Sequence, residues 1–138
     1  MNINPKVIDQ KISLIRKISM KSGEYEDVIN LTIGEPDLPI PTEIVDQTIL
    51  YMKNNRMGYP MLGGSVEIRE EIVNFYKTKY DSSYDIDEVI VTAGATEALS
   101  TTLKTILNEG DEVLIPLPFY PGYLPLIDFS YAKSVFID

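Results

Sequence analysis

The sequence predicts an α/β chain whose later part builds an incomplete, mainly parallel sheet with flanking helices. Its first support is the order of elements from Glu88 onward. Short apolar runs at Val89–Val91, Val113–Ile115 and Ser134–Ile137 alternate with helical patterns, giving β-α-β-α-β. A second is the unbroken apolar character of Val89-Ile90-Val91, which suits a strand covered on both faces. A third is Thr92-Ala93-Gly94, a small-residue turn leading directly from strand to helix.

The elements follow in order along the chain. Val7, Ile8, Ile12, Ile15 and Ile18 recur at helical spacing between Asp9, Lys11, Arg16 and Lys17, which predicts one amphipathic helix ending near Ser22-Gly23. Val28 to Ile33 reads as a short strand broken by Asn30 and Thr32. The prolines of Gly34-Glu35-Pro36-Asp37 and Pro39-Ile40-Pro41 fix a rigid turn region. Thr42 is the expected N-cap of a helix from Glu43 to Asn54. A second turn region covers Met57 to Ser65, and a helix carrying Val66, Ile68, Ile72, Val73, Phe75 and Tyr76 ends near Lys79. Tyr80 to Asp87 is polar and reads as a loop.

Glu88–Thr92 is then the first strand of the β-α-β-α-β order, followed by a helix from Ala95 to Asn108. Glu109-Gly110-Asp111 stops that helix before the strand Val113-Leu114-Ile115. A helix around Gly122 to Asp128 and a strand from Ser134 to Ile137 complete the order.

Composition narrows the function classes. The 138 residues are 44% apolar and 24% charged, as in globular proteins. Twenty-one acidic residues against twelve basic ones give a net charge of −9, which argues against nucleic acid as a partner. Without cysteine or histidine there is no disulfide framework, no thiolate nucleophile, and no Ser-His or Cys-His arrangement. No apolar run reaches the length of a membrane span, and Met1 to Lys21 lacks the pattern of a signal peptide, so a cytoplasmic location is expected.

Three places could carry chemistry. The turn before Ala95 and Thr96 suits a phosphate, because free amides at a helix start favour an anion and Thr96 adds a hydroxyl. The same small residues also suit a plain turn with no ligand. Tyr120, within Pro118-Phe119-Tyr120-Pro121, follows the carboxyl end of a strand, where ligands of open α/β sheets sit. It could stack on a flat ring, or with Phe119 and Tyr123 it could cover the sheet edge. Gly34 stands in a loop able to offer its backbone to a carboxylate, or in a bare turn. Tyr59 reads as a half-buried tyrosine and Lys133 as a loop lysine.

Taken together and in order, four segments resemble the class I/II aminotransferases that use pyridoxal phosphate (PLP), fold type I. They are INLTIGEPD, YPMLGGSVEIREEI, VIVTAGATEAL and GDEVLIPLPFYPGY. The second matches the family's YxxxxGxxxLRxxI pattern with Ile68 in place of leucine. The likeness covers nearly the whole chain from Asn30 onward. It implies an N-terminal portion of that fold, with residues 1–58 as arm and small-domain segment and residues 59–138 as the start of the large domain.

The resemblance also implies roles. Ala95 and Thr96 hold the PLP phosphate, Tyr120 stacks on the pyridine ring, and Gly34 meets the α-carboxylate of the substrate. Tyr59 reaches the phosphate of the neighbouring subunit, so the complete enzyme is expected to be a homodimer acting on an amino acid and a 2-oxo acid. Arg69 falls on the family's arginine and is expected to form a structural ion pair. The family's Schiff-base lysine, its pyridinium-pairing aspartate and its substrate-clamping arginine lie beyond the matched segments. The 138 residues are therefore expected to contain no catalytic lysine and to be inactive alone.

In the family's sheet, strand Glu88–Thr92 also lies far from the next two strands, so it is expected to lack its neighbours. The remaining alternatives are a PLP-dependent C–S lyase of the same fold, a non-catalytic piece that binds a full-length relative, and a generic phosphate-binding α/β domain. The four ordered motifs argue against the last.

Overall fold

The computed structural model describes residues 2–8, 10 and 13–138. They form two compact units, one of Met1–Thr32 with Thr92–Asp138, the other of Ile33–Val91.

The first unit opens with two short helices, α1 (Pro5–Ile8) and α2 (Leu14–Ser22), where the periodicity predicts one. Ser13 is extended and begins α2 as a separate helix, and Gly23 follows its end, as predicted. Of the predicted stripe, Asp9, Lys11 and Ile12 lie outside the described residues. α1 is tethered elsewhere: the Lys6 ammonium pairs with the Asp128 carboxylate at 2.9 Å and lies 4.6 Å from the Tyr131 ring centroid.

Val28–Ile33 is not a strand. The Asn30 side chain accepts hydrogen bonds from both the backbone N–H and the hydroxyl of Thr32, a local closure that competes with strand pairing. Ile29 and Leu31 stand 86% and 89% exposed.

The second unit contains α3 (Thr42–Asn54) and α4 (Val66–Tyr80). Thr42 is the first residue of α3 rather than its cap. Pro41 holds the cap position, where its fixed φ suits the chain entering a helix, and no side chain caps the end. α4 begins as its sequence suggests. The Ser65 hydroxyl accepts the Ile68 N–H, and Asp81 closes the far end in the left-handed region at φ 53°. The polar stretch after it contains a 3₁₀ turn at Ile86–Glu88, closed by reciprocal Asp85 and Glu88 contacts. Arg69 pairs across to this turn, donating to the Ile86 carbonyl at 3.1 Å and lying 3.7 Å from the Asp87 carboxylate.

Residues Glu88–Thr92 make no strand among the described residues. Val91 N–H donates instead to the Gly63 carbonyl at 3.0 Å, and Ile90 remains exposed. The strand predicted there is not formed, because its backbone bonds to the glycine turn rather than to a second strand.

The first unit resumes with α5 (Ala95–Ile106), β1 (Glu112–Pro116), α6 (Tyr123–Asp128) and β2 (Lys133–Ile137). β1 and β2 pair in parallel, with Glu112 opposite Lys133 and Pro116 opposite Ile137. This is a β-α-β unit, and α6 packs on both β2 and α5. Ile115, Ile127 and Ala132 are its buried apolar centre, with Leu103, Leu107, Val113, Phe119 and Leu124 packed around them. Burying Ile115 and Ile127 contributes roughly 2 kcal/mol each. α5 stops two residues earlier than predicted, and the Asp111 carboxylate accepts the Asn108 N–H in the turn that follows. No helix of the described residues is long and apolar enough to cross a membrane.

Candidate functional site

The turn before α5 is set by Gly94, whose φ of 92° is a conformation other residues rarely adopt. Gly94 N–H donates to the Thr92 carbonyl at 2.8 Å, and the Thr92 hydroxyl donates back to the Gly94 carbonyl at 3.0 Å. The first helical bond of α5 is Ala98 N–H to that same carbonyl. The N–H groups of Ala95, Thr96 and Glu97 therefore have no partner within the helix, and the Gly94 position supplies no side-chain cap. All three residues are exposed. No atom lies within 4 Å of where a Cβ on Gly94 would sit, so the approach is open. Free amides, a helix dipole, a hydroxyl and open space fit the phosphate of PLP.

Tyr120 lies past the carboxyl end of β1, after a cis Leu117–Pro118 peptide. Its ring is 56% exposed and meets Tyr123 edge-on, with centroids 5.5 Å apart. Phe119 turns the other way, 5.3 Å from Phe136 and against the core, so the aromatics there do not act as one cover. Gly122 makes room for Tyr120, because a Cβ there would collide with the Tyr120 ring. Tyr120 and Leu99, one turn after Ala95, line the same apolar groove of about 320 Å³ with Ile115, Pro116 and Pro118. Within unit one, Leu99 and Leu103 of α5 and Tyr120 thus border one groove along β1.

Gly34 and Tyr59 belong to the other unit. Gly34 lies outside any helix or strand, with no atom within 4 Å of a notional Cβ. Tyr59 is fully exposed rather than half-buried. Lys133 is not in a loop: it opens β2 opposite Glu112, and its N–H donates to the Asp111 carbonyl at 2.7 Å.

Sequence reasoning missed two residues. Glu97 accepts the Ala93 N–H with its carboxylate. A glutamate three residues after the capping glycine is the sequence signal that points to it. Gly64, at φ 94°, leaves Val91 no room for a neighbour with a side chain. Its signal was the Gly63-Gly64 pair just before the cap of α4.

Comparison with known proteins gives concordant matches. The family model for aminotransferase class I and II matches residues 26–138. A probable N-acetyl-LL-diaminopimelate aminotransferase of Bacillus subtilis is 40% identical over 137 residues, covering 99% of this chain and 35% of that protein. The (5-formylfuran-3-yl)methyl phosphate transaminase of Methanocaldococcus jannaschii is 43% identical over 116 residues, covering 84% of this chain and 31% of that protein. The crystal structure of an aspartate aminotransferase from Rhizobium meliloti superposes with a TM-score of 0.90 at 26% identity, covering 99% of this chain and 35% of that one. The chain spans about a third of the length of the curated relatives it matches.

Proposed function

The chain belongs to the aminotransferase class I and II family, and on that premise we propose that the protein carrying it is a PLP-dependent aminotransferase. It moves an amino group between an amino acid and a 2-oxo acid. The observation that carries this reading is the family match across residues 26–138.

When bound, PLP would supply an aldehyde carbon able to carry the amino group and an electron-withdrawing ring. The residues of this chain bind and orient. The N–H groups of Ala95 and Thr96 and the Thr96 hydroxyl hold the phosphate at the start of α5. The face of Tyr120 fixes the plane of the ring, and Gly34 offers its backbone to the α-carboxylate of the substrate. Tyr59 reaches the phosphate held by the neighbouring subunit, which makes the working enzyme a homodimer with shared sites. Its full exposure leaves it available for that contact. Residues 1–58 serve as arm and small-domain segment, and residues 59–138 begin the large domain. The enzyme works in the cytoplasm.

The 138 residues supply only part of the machinery. None of their lysines stands in the context of a Schiff-base lysine, and Lys133 is an exposed residue at the start of β2. Taken alone they are inactive. The test is the full-length protein, purified with PLP, assayed with amino donors and 2-oxo acids, then reduced with borohydride and mapped by mass spectrometry. Turnover with the label on a lysine outside residues 1–138 is expected. Absence of both turnover and PLP retention, or a label on Lys133, overturns the reading.

A further inference from the structure

We infer that Glu97 is a positioning residue for the phosphate-binding turn, holding Ala93 and Gly94 in place so that the amides of Ala95 and Thr96 stay free for the cofactor. The inference rests on the aminotransferase reading of the same site.

The turn has little packing to hold it. Ala93, Gly94, Ala95 and Thr96 are all exposed, and the space beside Gly94 is empty. A glycine there is free to leave φ 92°, because without a Cβ it populates other regions equally well. Hydrogen bonds must therefore set the conformation. Thr92 supplies two of them, both directed to Gly94. Glu97 supplies the third, reaching back from the first turn of α5 so that its carboxylate accepts the Ala93 N–H. This closes the turn from the helix side, one residue earlier than an ordinary capping box does.

The choice of amide matters. The Glu97 carboxylate occupies the donor on Ala93 and leaves those of Ala95 and Thr96 for an anion. A carboxylate beside a phosphate is electrostatically unfavourable, so the value of Glu97 lies in the hydrogen bond and not in its charge. A glutamine at the same place retains an acceptor for Ala93 without that charge. Alanine retains neither.

The experiment uses the full-length apoenzyme and two ligands, PLP and pyridoxal. Both carry the aldehyde and the ring, and only PLP carries the phosphate, so the ratio of their dissociation constants isolates the phosphate turn. Glu97→Ala is expected to weaken PLP about fivefold, the size of one ordinary hydrogen bond. Pyridoxal binding should be unchanged, and Glu97→Gln should keep the wild-type ratio. An unchanged ratio in Glu97→Ala, equal weakening of both ligands, or a Glu97→Gln variant as weak as Glu97→Ala overturns the inference. A wild-type protein that binds neither ligand overturns the aminotransferase reading itself, and the inference with it.

Discussion

Gly64 and Val91 are in contact so close that no side chain fits between them. A Cβ on Gly64 would lie 2.7 Å from Val91 Cγ2 and 2.8 Å from Val91 Cβ. The neighbouring Gly63 carbonyl accepts the Val91 N–H at 3.0 Å. The Gly63-Gly64 turn thus holds the extended segment that has no strand partner among the described residues. Gly64→Ala meets both a clash and a positive φ, and should destabilise the full-length protein by about 2 kcal/mol or more. Adding Val91→Ala removes Cγ2 but keeps the Cβ at 2.8 Å, so it should recover only part of the loss and none of the backbone strain. Denaturant midpoints of the two variants measure this, and no recovery in the double variant would show that the contact is not the cause.

Thr96 stands at the open start of α5. Thr96→Glu places a bulky negative group where the proposed phosphate sits, and PLP retention by the full-length protein should be abolished. Cofactor absorbance after dialysis reports it. Unchanged occupancy would move the phosphate away from this turn.

Tyr120 presents its ring, with the hydroxyl at one end. If stacking holds the cofactor, Tyr120→Phe should bind PLP nearly as wild type does, and Tyr120→Ala should bind it more weakly by about 1 kcal/mol. Fluorescence titration of the apoenzyme compares them. Equal losses would assign the role to the hydroxyl.

Ser65 and Glu67 together hold the start of α4. The Glu67 carboxyl lies below its ordinary value of 4.5, first because a backbone N–H at its own position donates to it and second because the Ser65 hydroxyl does. A lowered carboxyl contributes stability that is complete above pH 4.5 and is lost as the pH falls through the lower folded-state value. Thermal midpoints should therefore fall in acid, and Glu67→Gln should flatten that limb slightly, since the group is fully exposed. Ser65→Ala, which removes the cap, should cost about 1 kcal/mol at neutral pH. A flat response in Ser65→Ala would show that the 3.4 Å cap contributes nothing.

The 138 residues expressed alone should fold poorly and show no transamination. Among the described residues only Ile115, Ile127 and Ala132 are buried apolar side chains, while Ile29, Leu31 and Leu62 are among many left exposed. Circular dichroism, a dye for exposed apolar surface and an amino-transfer assay test it. A cooperative melt with turnover would refute it.

Residue pattern alone determined much of this protein. α3, α4, α5, β1, α6 and β2 follow from periodicity, apolar runs and turn residues, because these local signals agree with the packing around Ile115 and Ile127. The family is legible too, since four motifs stand in a fixed order. What the tertiary structure decided is where pattern and partners disagree. Val28–Ile33 and Glu88–Thr92 have strand composition but no strand, because a ladder needs a second chain segment and Asn30 offers Thr32 a local alternative. The stripe from Val7 to Ile18 divides into two helices. Gly64, Gly122 and Glu97 gained their meaning only from what lies beside them: the Val91 side chain, the Tyr120 ring and the Ala93 N–H. A sequence records which groups a chain carries, whereas close approach and hydrogen-bond choice are set by residues brought together in space.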